Sequence, residues 1–134
     1  MAFNDTFRLS SHAVITNQNM EILVLKASYG DANFGLPGGA LEPGETIHDA
    51  LERECMEEIG CSIDIKYLSG VYFHSAFNSQ AFIFRCEIPQ QAEIILSSEH
   101  SCFKYQTVKT MSAIQQQRVS DCLVYKGCVV SAKF

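Results

Sequence analysis

The segment from Thr46 to Gly60 constrains the fold more than any other part of the sequence, because its helix signals agree with one another. Thr46 is a residue type that caps helices, Asp49 follows it at the spacing of a capping box, and Gly60 suits a left-handed helix end. Apolar residues recur between them at every fourth position, at Ile47, Leu51, Cys55 and Ile59. The helix must therefore bury one face against a core.

Strand patterns stand on both sides of this helix. Residues 7–16 and 21–27 have β-strand composition and the polar residues 17–19 between them suit a turn, so the sequence predicts a hairpin. Further strands are predicted at 63–74, 80–88, 92–96 and 103–108, with a second helix from about residue 111. We expect one domain over residues 1–134, of the α/β (α+β) class, in which helices pack on a mixed sheet.

The composition excludes several classes of protein. Hydrophobic residues make up 47% of the 134 residues, which is typical of a folded domain, and the formal net charge is −5. That charge opposes broad binding to nucleic acid phosphates, which needs clustered Lys and Arg. No apolar run approaches the roughly 20 residues of a membrane-spanning helix, and no export signal begins the sequence. We therefore expect no membrane insertion and a cytoplasmic location.

The cysteines indicate a reducing compartment. The sequence contains 6 of them, with no C-x-x-C pair and no His at zinc-finger spacing. Several, such as Cys86, stand in apolar stretches where Cys behaves as a small hydrophobic residue. Reduced core thiols are the favoured interpretation, in agreement with a cytoplasmic protein.

Carboxylates crowd toward the end of the predicted helix. Glu54 neighbours both Glu57 and Glu58 on a helix of 3.6 residues per turn. Like charges at these spacings destabilise a helix by roughly 0.2–0.5 kcal/mol per pair. Exposed carboxylates near the negative end of the helix dipole add roughly 0.3–1 kcal/mol each. A foldable sequence needs something that offsets this repulsion.

Two interpretations of this cluster compete. The first is a solvated surface helix on which Arg53 neutralises part of the charge. The second is a divalent cation held by the carboxylates, for which hard oxygen ligands favour Mg²⁺ or Mn²⁺ over Zn²⁺. The position of the acids at the unfavourable helix end, without Lys partners at helical spacings, favours the cation. Gly38 and Gly39 would let backbone approach a metal ion or phosphate closely.

Seven residues of this region follow a fixed spacing: Gly39, Glu45, Arg53, Glu54, Glu57, Glu58 and Gly60. The spacing resembles the signature of the Nudix (MutT-like) hydrolases, G-x5-E-x7-R-E-U-x-E-E-x-G-U, where U is a bulky aliphatic residue. Cys55 and Cys61 stand at the two U positions, and both are apolar enough to face a core. Residues 34–39 and 98–108 extend the resemblance, with Tyr105 in place of the common Trp. We refer to residues 39–61 as the Nudix box.

The resemblance implies a fold and an activity. The implied fold is a mixed β-sheet sandwiched between α-helices. The implied activity is Mg²⁺-dependent hydrolysis, with Mn²⁺ as a substitute, of a phosphoanhydride bond in a nucleoside diphosphate linked to another moiety or in a nucleoside triphosphate. No DNA-binding extension is expected beside the box, and the family contains both monomers and homodimers.

The resemblance also implies roles for individual residues. The metal would be held by the backbone carbonyl of Gly39 and the carboxylates of Glu54, Glu57 and Glu58. Glu54 would also orient or deprotonate the attacking water, and Glu45 would pair with Arg53 to position loop and helix. Glu99, from a second loop, is either an extra metal ligand or base or an ordinary loop carboxylate. His100, its neighbour, is a weaker candidate, and the other histidines are interpreted as structural.

For each candidate substrate contact, the sequence leaves two roles open. Phe34 would either stack on a base or pack in the core. Arg8, Lys26 and Arg85 lie in predicted strands, where each would hold a phosphate if it faced the cleft and would otherwise be a surface charge. Specificity is expected to depend on the loops at residues 28–33 and 74–80.

Two other functions fit the same fold. A nucleotide-sensing domain binds without cleaving, but such domains typically lose carboxylates of the box, whereas this chain retains all of them. An isoprenoid diphosphate isomerase needs a catalytic Cys, and Cys102, close in sequence to Glu99, keeps that alternative open. Hydrolysis is the preferred hypothesis.

Overall fold

The computed structural model describes residues 3–30 and 33–134, so the predicted specificity loop at 28–33 lies partly outside the described residues. The described residues form eight strands: β1 (Arg8–Ile15), β2 (Ile22–Ala27), β3 (Phe34–Gly35), β4 (Gly38–Ala40), β5 (Asp64–His74), β6 (Ser79–Glu87), β7 (His100–Gln106) and β8 (Val130–Lys133). The helices are α1 (Ile47–Ile59) and α2 (Ala113–Leu123), with short 3₁₀ turns at Ser75–Phe77 and Val108–Thr110. Within these ranges, no helix is long and apolar enough to cross a membrane.

The strands form two sheets. The larger is five-stranded and mixed, in the order β4-β1-β6-β5-β8, where β1 runs parallel to β6 and β5 runs parallel to β8. The smaller is three-stranded and antiparallel, in the order β3-β2-β7. β4, which begins the Nudix box, is the edge strand next to β1, and Ser11 of β1 lies opposite Gly39.

Two hydrophobic cores form because successive strand residues point to opposite faces of a sheet. Ala13 and Ile15 of β1 pack in one core with Leu51 of α1. Val14, which lies between them, packs in the other core with Val119 of α2. The large sheet therefore lies between the two helices, which confirms the predicted fold class.

Helix α1 has the predicted ends and the predicted buried face. The Thr46 hydroxyl accepts a hydrogen bond from the Asp49 N–H at 3.0 Å, and the Asp49 carboxylate accepts one from the Thr46 N–H at 3.1 Å. Gly60 ends the helix with φ 68°, in the left-handed region that favours glycine. Leu51, Cys55 and Ile59 are buried, and Ile47 packs against the same core. These features fix the side of α1 on which the box carboxylates lie.

The predicted hairpin of β1 and β2 is wrong. The chain does turn at Asn17, whose side-chain oxygen accepts hydrogen bonds from the N–H groups of Asn19 and Glu21, each at 3.0 Å. The two strands share only one isolated bridge, between Thr16 and Ile22, and then enter different sheets. β4 and β6 occupy both edges of β1, so no edge remains where β2 could pair.

Two predictions for the second half of the chain need correction. Residues 92–96 form no strand. Instead, the Ile95 N–H donates to the Ile59 carbonyl at 2.9 Å and the Ser97 N–H donates to the Glu58 carbonyl at 3.3 Å. These bonds satisfy backbone carbonyls that a helix end leaves without partners. The predicted late helix is α2, but β8 follows it and was not foreseen from the sequence.

The packing of α1 can be tested by truncating Leu51, which is 0% exposed. Leu51→Ala should lower the free energy of unfolding by roughly 2–5 kcal/mol, because it leaves a cavity between helix and sheet. Met56→Ala is the matched control, since Met56 lies on the same helix and is 51% exposed; its effect should stay within about 0.5 kcal/mol. Urea denaturation measures both, and equal losses would contradict the described burial.

Candidate active site

Arg53 connects the loop of the Nudix box to helix α1. Its guanidinium group donates to both carboxylate oxygens of Glu45, with Nε–Oε2 at 2.7 Å and Nη2–Oε1 at 2.9 Å. Nη2 also donates to the Ala40 carbonyl at 3.1 Å. The hydrogen bonds from Arg53 lower the pKa of Glu45, and those to Glu45 raise the pKa of Arg53. The predicted pair is therefore present, with the two-pronged geometry that distinguishes strong ion pairs from loose surface ones.

The same guanidinium group contacts two other acids of the box. Its Nη1 atom lies 3.0 Å from Glu54 Oε1 and 3.4 Å from Glu57 Oε2. No basic residue lies in the last turn of α1, so Arg53 supplies positive charge from one turn earlier. This arrangement offsets part of the repulsion that the sequence predicts.

The two glycines before the helix let the carboxylates approach the backbone. A Cβ atom added to Gly39 would lie 2.6 Å from the carboxyl carbon of Glu54, so only glycine leaves room for that side chain. Gly38 has φ 139°, a conformation that other residues rarely adopt, and a Cβ there would collide with backbone of Ser11 and His12. The Gly38 N–H donates to Glu58 Oε1 at 2.7 Å.

Glu58 is the buried acid of the site, with 7% of its surface exposed. Burial raises the pKa of its carboxyl group, and the Gly38 N–H lowers it; with the charges of Glu54, Glu99 and Glu57 also raising it, the pKa is about 7. These charge effects place all four carboxylates in one electrostatic neighbourhood, although Glu99 belongs to a different loop. A positive charge bound among them would reverse the shift.

Glu99, in the loop before β7, and His100, the first residue of β7, lie near the C-terminal end of α1. Glu99 is exposed, and its carbonyl accepts a hydrogen bond from the Ser28 N–H at 2.9 Å. The Nε2 atom of His100 lies 3.6 Å from Glu58 Oε2. His100 Nδ1 is buried without a hydrogen-bond partner among residues 3–30 and 33–134. His100 thus lies beside the box, although the sequence indicated it only as a weaker candidate than Glu99. The sequence feature that pointed to it was its position directly after Glu99.

The donor set fits a divalent cation. The candidate ligands are all oxygens, from Glu54, Glu57, Glu58 and Glu99 and from the Gly39 carbonyl, which is the chemistry that Mg²⁺ and Mn²⁺ prefer. As the side chains lie, no three His, Cys, Asp or Glu groups in the described part of the chain are arranged to enclose a metal ion. In this arrangement Arg53 contacts Glu54 and Glu57, and the Gly38 N–H donates to Glu58.

Two of the predicted substrate residues lie together on the small sheet. Phe34 of β3 pairs with Lys26 of β2, whose Nζ atom is 6.0 Å from the centre of the Phe34 ring. Lys104 of β7, which was not foreseen, lies closer, with its Nζ atom 4.1 Å from the ring centre. Phe34 and Lys104 line a cleft of about 390 Å³ that also reaches Gln115 of α2. This cleft combines an aromatic ring with positive charge.

The other two predicted substrate residues lie elsewhere. Arg8 is exposed at the start of β1, where its neighbour Leu9 accepts a hydrogen bond from the Leu41 N–H at 3.0 Å. Arg85 donates to the carbonyls of Val14 and Cys86, each at 3.0 Å, and to the Thr16 hydroxyl at 2.7 Å. It lines a different cleft, of about 450 Å³, which contains no residue of the Nudix box. The structure therefore gives Arg85 a bracing role between β1 and β6.

Comparison with known proteins decides the family. Residues 6–122 match the model of the NUDIX domain. The chain belongs to the Nudix family. This confirms the resemblance inferred from the fixed spacing of residues 39–61 and from its flanking segments.

Several Nudix relatives resemble this chain over part of their length. A MutT-like protein from Streptomyces ambofaciens is 29% identical over 104 residues, which cover 78% of this chain and 66% of the relative. An ADP-ribose pyrophosphatase from Methanocaldococcus jannaschii is 40% identical over 60 residues, or 43% of this chain and 36% of that protein. Both matches span less than two thirds of the relative's own length.

Solved structures confirm the fold. The crystal structure of an ADP-ribose pyrophosphatase from Streptococcus suis superposes with a TM-score of 0.76, and the alignment covers 96% of this chain and 100% of that one. The sequence identity is 16%, so this likeness concerns the fold alone.

Because the carboxyl group of Glu58 is buried, we expect the free energy of unfolding to depend on pH when a chelator keeps metal ions away from the site. The folded pKa is about 7 against an ordinary 4.5, so the folded protein binds more protons between these values, and its free energy of unfolding falls as pH rises through them. The Glu58→Gln variant lacks this titrating carboxyl group. Its free energy of unfolding, relative to that of the unaltered protein, should therefore rise by roughly 2–3 kcal/mol between about pH 4 and pH 8. Urea denaturation in EDTA measures the difference. A difference that does not change with pH would contradict the assigned burial.

Proposed function

We propose that this Nudix protein is a divalent-metal-dependent hydrolase that cleaves a phosphoanhydride bond in a nucleotide-like substrate. The observation that carries the proposal is the buried carboxylate of Glu58, held by the Gly38 N–H beside three further acids. Burying an acid among acids is unfavourable unless a cation joins them. The name of the Methanocaldococcus jannaschii relative, ADP-ribose pyrophosphatase, supports cleavage of a diphosphate bond.

Glu54, Glu57 and Glu58, with the Gly39 carbonyl and with Glu99 as a further candidate, would hold Mg²⁺, and Mn²⁺ would substitute for it in assays. When bound, the cation neutralises diphosphate oxygens and lowers the pKa of water. It also gives a protein with a net charge of −5 the positive charge that an anionic substrate needs. Arg53 keeps Glu54 and Glu57 together before the cation arrives, through its contacts at 3.0 and 3.4 Å.

Glu54 is the proposed general base. Its carboxylate lies against the glycine backbone of Gly39, and Arg53 fixes one oxygen at 3.0 Å. A carboxylate fixed in this way is positioned to accept a proton from the attacking water. Glu45 and Arg53 act as positioning residues, because their paired hydrogen bonds set the distance between the loop and α1.

The proposed substrate site is the cleft beside Phe34. The ring offers a surface on which a base or sugar can pack, and Lys26 and Lys104 place two positive charges near it. Arg8, exposed at the start of β1, is proposed as a phosphate contact. Residues 1–134 are proposed to form one domain of a cytoplasmic protein, in agreement with its six free cysteines.

Removal of single carboxylates tests the mechanism. Glu54→Gln and Glu57→Gln should each lower Mg²⁺-dependent turnover at least roughly 100-fold while the protein stays folded, because each removes a ligand or the base. Glu52→Gln is the matched control, an exposed acid on the same helix, and should remain within about twofold of the unaltered protein. Chromatography of products from ADP-ribose, a dinucleoside polyphosphate and a nucleoside triphosphate, with and without Mg²⁺, provides the readout.

The same assay separates the alternatives. Full activity of both Glu54→Gln and Glu57→Gln would contradict the mechanism. Metal-dependent binding of the test substrates without formation of products would favour a sensing domain. Formation of an isomerised isoprenoid diphosphate in a parallel assay would favour the isomerase, for which Cys102 on β7 would be the residue to examine.

The cleft can be tested independently of the chemistry. Lys104→Gln should raise KM about tenfold and leave kcat within about twofold, because a charged contact to the bound substrate is lost outside the reacting centre. Lys109→Gln, which removes an exposed charge outside the cleft lining, should change neither parameter. Equal KM values for Lys104→Gln and the unaltered protein would exclude this cleft as the substrate site.

A further inference from the structure

The face of the large sheet opposite to the box carries a buried basic residue, Arg118, with two histidines near it. Arg118 of α2 is buried, with 8% of its surface exposed. Its Nε atom is fully buried and has no hydrogen-bond partner among the described residues. Residues 3–30 and 33–134 also contain no ion pair to Arg118. A buried guanidinium group is normally found with a carboxylate or several acceptors.

The acidic residue on the same side of α2 is already engaged. Asp121 stands three positions after Arg118, and its carboxylate accepts a hydrogen bond from the Tyr72 hydroxyl at 2.8 Å. It does not lie within ion-pair distance of Arg118. The protein therefore buries most of Arg118 without supplying a counter-charge from the described residues.

Two histidines on other elements are close enough for the Arg118 charge to affect them. His74, at the end of β5, has a buried Nε2 atom with no partner in the described part of the chain. His12 of β1 places its Nε2 atom 3.0 Å from the Ser10 hydroxyl. Burial and then the Arg118 charge lower the pKa of both imidazoles, that of His12 to about 3, with His74 adding to the effect on His12. His12 of β1, His74 of β5 and Arg118 of α2 thus lie within electrostatic range of one another.

Helix α2 connects this group of residues with the cleft beside Phe34. Gln115, one turn before Arg118, lines the 390 Å³ cleft beside Phe34, and its Oε1 atom is another buried atom without a partner among the described residues. Three of the four such orphan atoms in those ranges belong to Gln115, Arg118 and His74. Unsatisfied polar groups are rare in folded proteins, so three of them on α2 and at the end of β5 mark a place where a polar ligand group fits.

We propose that Arg118 and His74, with His12 beside them, form a binding site for an oxyanion, a phosphate or carboxylate group, on the sheet face opposite to the box carboxylates. The Arg118 guanidinium group donates hydrogen bonds to the oxyanion, and His74 donates through Nε2. The anion supplies the counter-charge that the described residues do not. It is either free in solution or part of a larger ligand that occupies the cleft.

The site is distinct from the proposed metal centre. Ser11 and His12 are neighbours on β1, and the Ser11 hydroxyl donates to the Ile47 carbonyl of α1 at 2.8 Å, so His12 points away from α1. The anion site therefore needs no metal, and its test does not depend on hydrolysis. Chelator removes the metal centre from the experiment, so a failure of one proposal leaves the other unaffected.

The test is anion-dependent thermal stability in EDTA, with inorganic phosphate and AMP as separate probes and NaCl at equal ionic strength as reference. At about ten times its dissociation constant, a bound anion should raise Tm by roughly 4 °C in the unaltered protein. Arg118→Met, which keeps the chain length and removes the charge, should abolish the rise. Lys126→Met removes an exposed charge and should leave it intact.

The pattern of responses identifies the source of the anion. A rise with phosphate supports a site for a free anion, and a rise with AMP alone supports the anionic group of a larger ligand. Imidazole NMR signals of His74 in the unaltered protein provide a second measurement if Arg118→Met does not fold, and they should shift on titration with the active probe. No rise with either probe, an equal rise in Arg118→Met, or unshifted His74 signals would overturn the proposal.

Discussion

The hydrogen bond from the Gly38 N–H to Glu58, 2.7 Å long, joins the edge strand β4 to the end of α1. A hydrogen bond to an ionised carboxylate is strong and lowers its pKa. Here the net shift is upward, to about 7, so burial and the three neighbouring acids outweigh that bond. The site thus holds an acid whose charge the protein alone does not stabilise. The two glycines and the ion pair of Arg53 with Glu45 bring that acid and its neighbours together.

Arg53 meets several acids, but these contacts differ in strength. The pair with Glu45 is two-pronged and its carboxylate side chain is only 16% exposed, so solvent screens it little. Glu57 is 59% exposed and lies 3.4 Å away, which makes it an ordinary surface contact. Glu45 therefore fixes Arg53, whereas Glu57 stays available for another partner. A single guanidinium group both braces the loop and leaves the carboxylates of Glu54 and Glu57 only partly neutralised.

The sequence predicts what depends on local spacing. The caps of α1, its buried face and the pair of Glu45 with Arg53 all follow from residues within one short segment, and the structure contains each of them. Features that depend on distant partners were missed. The β1–β2 hairpin fails because β4 and β6 fill both edges of β1, which no local pattern reveals.

The same limit applies to side chains that meet from separate elements. Lys104 covers Phe34 because β7 joins β2 across a long intervening stretch, and His100 reaches Glu58 because backbone bonds tie residues 95 and 97 to the helix end. Their contacts exist only after the sheets assemble. Spacing within the box was enough to identify the family, whereas the cleft residues required the fold.

The large sheet separates charges of opposite sign, and β1 contributes to both sides. Ser11 faces α1 on the side of the acids, and His12 faces the side of Arg118. Opposite charges that a protein holds apart attract ions of opposite kinds to its two faces, because neither cluster can neutralise the other through the apolar layers between them. The chain has a net charge of −5, so its basic residues are fewer than its acidic ones. One of these basic residues, Arg118, is buried without an ion-pair partner among the described carboxylates. This burial lowers the stability of the fold unless a ligand supplies the negative charge. A ligand with two separated polar ends, one facing a cation among the acids and one facing Arg118, would relieve both costs at once.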